Sequence, residues 1–218
     1  MQGTDLNIQF QKIEQWLLQH ASKIATESLK PPARIEQLNQ LEEILKTPLP
    51  DDFKALYLWH DGMHTDDAKN AGNLFYGLSF FDIDFVRDNY IEVRNSQEDE
   101  LYAIDSDPEI NGQNHRNPLW LKFGHDWSRC SIAIDLNPVD PKDYGQVVFI
   151  DYDFQAILVV APSITALVET FVSDLQQNKY YLVPEALEDD THFIDAVSEI
   201  DLLNWSSDKC IRFKRSFK

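Results

Sequence analysis

Two histidines are spaced as the ligands of a helical zinc site would be. His60 and His64 lie four positions apart, but Gly62 stands between them and the glutamate of an HExxH motif is missing. The simpler interpretation is a helix that ends at Gly62 and leaves two half-exposed imidazoles. We therefore predict no metal site at these histidines.

Closely spaced carboxylates could also bind metal. Residues 105–111 place side-chain oxygens at alternate positions, but Ile110 stands where a calcium loop needs glycine and Arg116 where it needs glutamate. This excludes an EF-hand. Asp151 and Asp153 form another pair, which between two strands is more typical of a turn whose side chains bind local amides.

Nucleophilic or phosphate-binding chemistry has little support in the sequence. No GxSxG, GxxxxGK[ST] or GxGxxG pattern occurs. Cys130 follows an arginine, but its alternating strand context favours a small core residue, and with Cys210 it forms no CxxC pair. We predict no catalytic residue and no cofactor. A hydrolase that uses acids near Asp126 or Asp151 stays an alternative, which metal-dependent turnover would test.

Composition predicts a folded, acidic protein. The 218 residues include 19 Lys and Arg against 37 Asp and Glu, a net charge of −18, which excludes a general nucleic-acid binder. The hydrophobic share of 43% suffices for a core. The longest apolar run, 156–162, is far shorter than the ~18 residues of a membrane span, and residues 1–10 lack a secretory pattern. We expect a cytoplasmic protein.

Four helices are predicted in the first half of the chain. In each, large apolar residues recur three or four positions apart and form one stripe. Prolines end the first two helices, Gly62 ends the third, and Asp82 can cap the fourth. The predicted helices span residues 10–24, 35–45, 51–62 and 82–93.

The second half of the chain predicts a sheet. Short apolar or alternating runs are separated by Gly, Pro and Asp, and Leu74–Leu78 is a further aromatic run that suits a buried strand. Pro162 or Ser163 then opens a last long helix. The predicted strands are 74–78, 119–123, 131–136, 146–151 and 156–160, and the helix covers 164–175.

Together these elements predict an α+β fold, with a mostly antiparallel sheet flanked by helices around a single core. We expect an N-terminal helix in residues 1–32, the α+β domain in 33–178, and an acidic C-terminal appendage in 179–218. Within the appendage, residues 193–200 fit a short helical turn. The basic end could fold back on the acidic stretch 185–201 or remain mobile, and its residues are Lys209, Arg212, Lys214, Arg215 and Lys218.

The run Leu49–Tyr57 followed by His60–Gly62, after the helix Ile35–Leu45, is similar to the opening motif of the SUKH superfamily, which includes the Smi/Knr cell-wall regulators. The later aromatic and apolar runs follow the superfamily's order over about residues 33–177. The resemblance implies an α+β fold and a non-catalytic binding role. In bacteria that role is most often that of an immunity protein, which blocks a toxin domain.

Charge placement indicates a binding surface. Residues 82–109 hold ten acids and only two basic residues, although ordinary solubility would also account for this. Trp127, in a loop beside an acid, is the tryptophan expected near the surface. The predicted partner-binding residues are Asp61, Asp66, Asp67, Asp82, Asp84, Asp126, Trp127, Asp151, Tyr152 and Asp153.

Two functions follow as predictions. The first is an immunity protein whose acidic face binds and neutralises a basic toxin domain, such as a nuclease or deaminase, with no direct contact to nucleic acid or membrane. The alternative is a regulatory scaffold of the cell-wall-regulator type, which would gather several weaker partners. The sequence leaves the oligomeric state and the identity of the partner open.

Overall fold

The computed structural model describes residues 5–64, 70–96, 103, 105–112 and 114–214, and it confirms the α+β fold. The helices are α1 Leu6–His20, α2 Ile35–Leu45, α3 Asp51–Trp59, α4 Ile83–Asn95, α5 Ile164–Gln176 and α6 Pro184–Glu188. The strands are β1 Ser79–Phe80, β2 Asp105–Ser106, β3 Trp120–His125, β4 Cys130–Asp135, β5 Val147–Asp151, β6 Ala156–Ala161, β7 Tyr180–Leu182 and β8 Ile194–Ala196. A π-helical turn, Ile24–Ser28, follows α1.

The main sheet has the strand order β1-β3-β4-β5-β6-β2. Its neighbouring strands are antiparallel, except that β2 pairs in parallel with β6. Cys130 lies opposite Asp151, so the turn before β4 and the turn after β5 lie side by side at one end of the sheet. A register shift between Lys122 and Gly124 interrupts the regular pairing of β3 with β4 towards the same end.

Both faces of the sheet are buried. Ile132 and Phe149 belong to a large cluster with the helices, whereas Val148 and Ile150 belong to a smaller cluster on the other face, together with Ile110. Strands buried on both faces lose the polar half of their alternation, which explains the continuous apolar runs of β4 and β5. No helix in the described ranges is long and apolar enough to span a membrane.

The third predicted helix is shorter than its pattern suggested. It ends at Trp59, three residues before Gly62. Gly62 has φ +69°, and a Cβ there would lie 2.4 Å from the backbone nitrogen of Asp82. The glycine therefore permits a close approach to the start of α4 as well as a turn.

Two predicted elements are wrong. Leu74–Leu78 forms a short 3-10 turn instead of a strand, because Tyr76 has φ 55° and reverses the chain before β1. Residues 193–200 contain β8 in place of a helical turn, since β8 pairs with β7 from Tyr180↔Ala196 to Leu182↔Ile194. In both places the apolar content was recognised, but contacts with distant segments decide the backbone conformation.

The last segment of the chain is attached to the loop before β1 through Asn73. Its amide donates to the carbonyl oxygen of Ile194 at 2.9 Å and accepts from the backbone nitrogen of Ile194 at 2.8 Å. Ile194, Leu202 and Trp205 belong to the same apolar cluster as α1. The division at residues 32 and 178 stays a prediction.

Asp174, Arg212, Lys179, Tyr76 and Phe213 form what we call the C-terminal clasp. The buried carboxylate of Asp174 accepts two hydrogen bonds from the Arg212 guanidinium, one of them at 2.7 Å, and one from Lys179 at 3.2 Å. The Phe213 ring packs edge-on against Tyr76, 5.5 Å between centroids. Burial, the largest cause, raises the pKa of Tyr76 to about 12.

The side-chain partner of Arg212, at the basic end of the chain, lies outside the acidic stretch 185–201. Arg212 pairs with α5 through Asp174, while Lys214 lies 3.8 Å from Asp208. The backbone nitrogen of Arg212 does donate to the carbonyl oxygen of Glu199 at 3.1 Å. Arg215 and Lys218 lie outside the described residues.

Candidate binding surface

A groove of about 210 Å³ opens between the start of α4 and the end of the main sheet. Five of its residues carry aromatic rings, and we call it the aromatic groove. It is lined by Phe81, Phe85, Asn89, Lys122, His125, Trp127, Ser131 and Tyr152.

The first wall of the aromatic groove is fixed by the start of α4. The carboxylate of Asp82 caps the helix by accepting from the backbone nitrogen of Phe85 at 2.7 Å. Phe81, just before the cap, donates its backbone N–H to the carbonyl oxygen of Phe123, which ties this wall to β3. As a result, the Phe81 and Phe85 rings lie 4.0 Å apart, and Phe85 is 39% exposed.

Trp127 forms the opposite wall and is 58% exposed. Its backbone has φ 61°, a left-handed conformation that is unusual for a bulky residue and fits a tight turn. Its indole N–H donates to the hydroxyl of Ser79 at 2.9 Å. An exposed tryptophan ring is therefore held in one position, 5.4 Å from the Phe81 ring.

The floor of the aromatic groove carries two hydroxyls and one ammonium. The hydroxyls of Tyr152 and Ser131 are 3.1 Å apart. The Lys122 ammonium lies 5.3 Å from the centre of the Tyr152 ring, within cation–π range. This floor comes from β3, β4 and the turn after β5, which the strand register brings together.

His125 connects the floor to the Trp127 wall. Its Nδ1 accepts from the backbone N–H of Trp127 at 2.6 Å, so the neutral ring carries its proton on Nε2. Burial, the largest cause, lowers the pKa of His125 below its ordinary value, nearby Lys122 lowers it too, and Asp126 opposes them. The neutral form is thus favoured at pH 7.

Three of the predicted acids surround the start of α4. Asp61 accepts from the backbone nitrogen of Ile83 at 2.8 Å, and burial raises the pKa of Asp61. Asp82 pairs with Lys30 at 2.6 Å in addition to its capping bond. Asp84 pairs with Arg87 at 2.5 Å and is about half exposed. These acids act first as helix caps and local ion pairs.

The other predicted acids lie at the two turns. Asp126 accepts from the backbone nitrogens of Ser128 and Cys130 at 2.9 and 2.8 Å, and Asp153 is exposed. Asp151 is completely buried and accepts from the Trp205 indole at 3.0 Å. It therefore stabilises the turn and is not accessible to a partner protein. Asp66 and Asp67 lie outside the described residues.

The structure thus unites Trp127, Tyr152 and the acids at the start of α4, but it places aromatic rings at the centre of the surface. Phe81, Phe85, Lys122 and His125 were not among the predicted site residues. The available signals were Phe81, directly before the predicted cap Asp82, and Phe85, three residues after it.

The described residues contain no cluster of three or more His, Cys, Asp or Glu side chains arranged to hold a metal ion. His60 lies 2.5 Å from the carbonyl oxygen of Lys30 and 3.4 Å from Glu14, so local contacts occupy both ring nitrogens. Burial raises the pKa of the Cys130 thiol, which opposes thiolate formation.

Comparison with known proteins agrees with this fold. The model of the SMI1/KNR4 family (SUKH-1) matches residues 32–170. The chain belongs to this family. The predicted SUKH resemblance is therefore confirmed, while α1 and the C-terminal clasp residues beyond Tyr76 lie outside the matched range.

Three relatives of this SMI1/KNR4 family chain carry names that refer to regulation. A glucan synthesis regulatory protein of Neurospora crassa is 22% identical over 92% of this chain and 44% of its own length. The cell wall assembly regulator SMI1 of Saccharomyces cerevisiae is 21% identical over 79% and 41%, respectively. The cell wall biosynthesis/cell cycle regulator smi1 of Schizosaccharomyces pombe is 23% identical over 68% and 32%. The chain thus spans less than half of each relative's length.

Proposed function

We propose that this chain is a non-catalytic regulatory module that binds other proteins through the aromatic groove. The observation that carries the proposal is Trp127, whose ring is more than half exposed yet held by hydrogen bonds of its backbone and its indole. Tryptophan and tyrosine are enriched among residues that dominate protein–protein binding energy. A fixed aromatic ring at a groove has the character of such a residue.

The surroundings of Trp127 extend this surface. Phe85 contributes one side, and Phe154, in the turn after β5, is 51% exposed with its ring edge-on to Trp205. Two exposed acids on the elements that build the groove, Asp84 of α4 and Asp153 of the turn after β5, supply charge beside its apolar centre, and we call them the rim acids. This combination of an apolar centre and a polar rim is typical of protein interfaces.

The process that we propose for the module is the control of cell-wall synthesis. It is suggested by the names of the three relatives, each of which describes a regulator of glucan synthesis or of the cell wall. None of these names refers to a toxin or to immunity, so of the two predicted functions the regulatory scaffold has the better support. The acidic rim fits either function, since it attracts basic surfaces of a partner.

The decisive experiment compares two variants of equally exposed residues. Trp127→Ala removes the centre of the aromatic groove, and Val139→Ala truncates a residue that is also 58% exposed but lies elsewhere. Tagged wild-type protein and both variants are used for affinity capture from the source organism at low and moderate salt. We expect several partners that bind wild type and Val139→Ala but are depleted with Trp127→Ala.

A complementation assay reads the function itself. In cells that lack the gene, we expect wild type and Val139→Ala to restore resistance to inhibitors of cell-wall synthesis, and Trp127→Ala to fail at equal protein level. Equal complementation by all three would refute the proposed role of the groove. A single stoichiometric partner with toxin activity, inhibited on binding, would instead support the immunity function.

A further inference from the structure

The aromatic groove differs in charge from the protein around it. The whole chain has 37 acids against 19 basic residues, yet the eight lining residues include no Asp or Glu. The single charged side chain among them is Lys122. The groove is therefore a cationic pocket on a strongly acidic molecule.

Lys122 is half-buried and has no carboxylate partner among the described residues. Neighbouring cations of this surface do have one: Lys30 pairs with Asp82, Arg87 with Asp84, and Arg129 lies 3.7 Å from Asp151. A partly buried ammonium gains from an anionic partner because it has lost part of its hydration. Among the described residues, the Lys122 ammonium has the face of the Tyr152 ring as its neighbour, which compensates part of the lost hydration.

Two other side chains of the groove, His125 and Asn89, can donate hydrogen bonds, while the hydroxyls of Ser131 and Tyr152 are already paired with each other at 3.1 Å. His125 carries its proton on Nε2, since Nδ1 already accepts from Trp127. The amide of Asn89 can donate two further hydrogen bonds, in addition to the acceptor that it also provides. A ligand that accepts hydrogen bonds and carries negative charge would satisfy Lys122, His125 and Asn89 together.

We propose that the aromatic groove receives an aspartate or glutamate side chain from an extended segment of the partner protein, with the carboxylate on Lys122 and the methylenes against Trp127 and Phe85. The proposal rests on the regulatory binding function proposed above and adds the chemistry of the anchor. Rim acids then attract basic residues that flank the anchor. Opposite charges at different positions fix the register of the segment.

A carboxylate fits better than a phosphate. Phosphorylated segments are usually held by clusters of arginine, because a charge near −2 needs several cations. Here one lysine faces the groove, and the net charge of −18 repels a dianion about twice as strongly as a monoanion. A monovalent carboxylate matches the single ammonium, and a volume of about 210 Å³ suits a single side chain.

The test is selection from a random peptide library displayed on phage. The baits are wild type, Lys122→Met, Lys122→Glu and the control Lys142→Glu, which alters a lysine that is 73% exposed elsewhere. We expect wild type and the control to enrich Asp or Glu at one fixed position. Lys122→Met should lose that preference, and Lys122→Glu should replace it with Lys or Arg.

Affinities of the best selected peptide sharpen the result. Replacing its anchor Glu by Gln should weaken binding to wild type about tenfold, as expected for loss of a charge-assisted hydrogen bond, and should change binding to Lys122→Met less than about twofold. Thermal unfolding of each variant shows that it is folded. Because Lys122→Met keeps the apolar stem of the side chain, it serves even if Lys122→Glu is unstable.

The proposal is overturned if wild type selects no acid at a fixed position, if Lys122→Glu keeps the acidic preference, or if the selected peptides bind Trp127→Ala as well as wild type. If wild type shows no preference for an acidic anchor while cellular partners still require Trp127, the carboxylate anchor alone is refuted. Cellular partners that are indifferent to Trp127, with an intact anchor preference for peptides, would refute the proposed role of the groove in cells but leave its carboxylate chemistry standing.

Discussion

The aromatic groove and the C-terminal clasp are built from the same kinds of side chain but use them in opposite ways. In the clasp, Tyr76 and Phe213 are buried and the cations Arg212 and Lys179 converge on Asp174. In the groove, Trp127 is exposed and Lys122 has no carboxylate partner among the described residues. Satisfied charges next to buried rings stabilise a fold, whereas unmatched donors next to exposed rings are available for a ligand.

The largest expected effect lies in the clasp. Asp174→Asn removes the charge shared by Arg212 and Lys179, and we expect the free energy of unfolding to fall by about 2–3 kcal/mol, less than the roughly 3–5 kcal/mol of a fully buried pair because both cations are partly exposed. Urea denaturation measures it. Asp140→Asn, which removes an exposed acid paired with Lys142, should cause no measurable change. Equal losses in the two variants would show that the buried ion pairs of the clasp stabilise the fold no more than an exposed pair does.

The second expected effect separates binding from stability in the groove. Trp127→Ala should weaken binding of the strongest captured partner by about 2 kcal/mol, as for a dominant interface residue. The free energy of unfolding should change by less than about 1 kcal/mol. Calorimetric titration and urea denaturation measure the two quantities. A large loss of stability with unchanged affinity would reverse the comparison and make Trp127 a structural residue.

The clasp should respond to alkali. Burial raises the pKa of Tyr76 from its ordinary 10.0 to about 12, so its contribution is complete below pH 10 and is lost as the pH rises from 10 to about 12. Between pH 9 and 11 we expect the free energy of unfolding of the wild type to fall by about 1 kcal/mol more than that of Tyr76→Phe. Parallel pH profiles of the two proteins, measured by urea denaturation, would contradict a buried neutral tyrosine at this position.

The groove should respond to acid, with the smallest effect of the four. The pKa of His125 is lowered by burial, so the stability that its neutral form contributes is present above the ordinary 6.5 and lost as the pH falls through the lowered value. Protonation removes the acceptor of the Trp127 backbone N–H. We expect the indole N–H resonance of Trp127 to shift with a midpoint below pH 6.5, and this shift to be absent in His125→Phe.

The elements of the fold were predictable where the signal is local. Asp82 caps α4 as its position before an apolar stripe indicated, and Ser163 caps α5 by accepting from the backbone nitrogen of Ala166. The turn at Tyr76 and the strand β8 were missed because each depends on a segment far along the chain, as the contact between Asn73 and Ile194 illustrates.

The surface was predictable only in part. Trp127 was predicted from its loop context, and Tyr152 was included with the acids at 151 and 153 that flank it. Asp151 and Asp153 were predicted for the same turn, yet Asp151 is buried and bonded to the Trp205 indole, 54 residues away. Lys122 carries no sequence signal at all, because only the register of β3 and β4 reveals which cation lacks a carboxylate neighbour.

The hydrogen bond between the Trp127 indole and Ser79 has a further consequence for the entropy of association. A side chain that is already immobile has little rotational freedom to lose on binding, a loss that otherwise costs about 0.5–1.5 kcal/mol for each residue that becomes ordered. Ser79→Ala should therefore leave the ring in contact with its partner but release it in the free protein. Affinity would then fall for an entropic reason, with every interfacial contact unchanged.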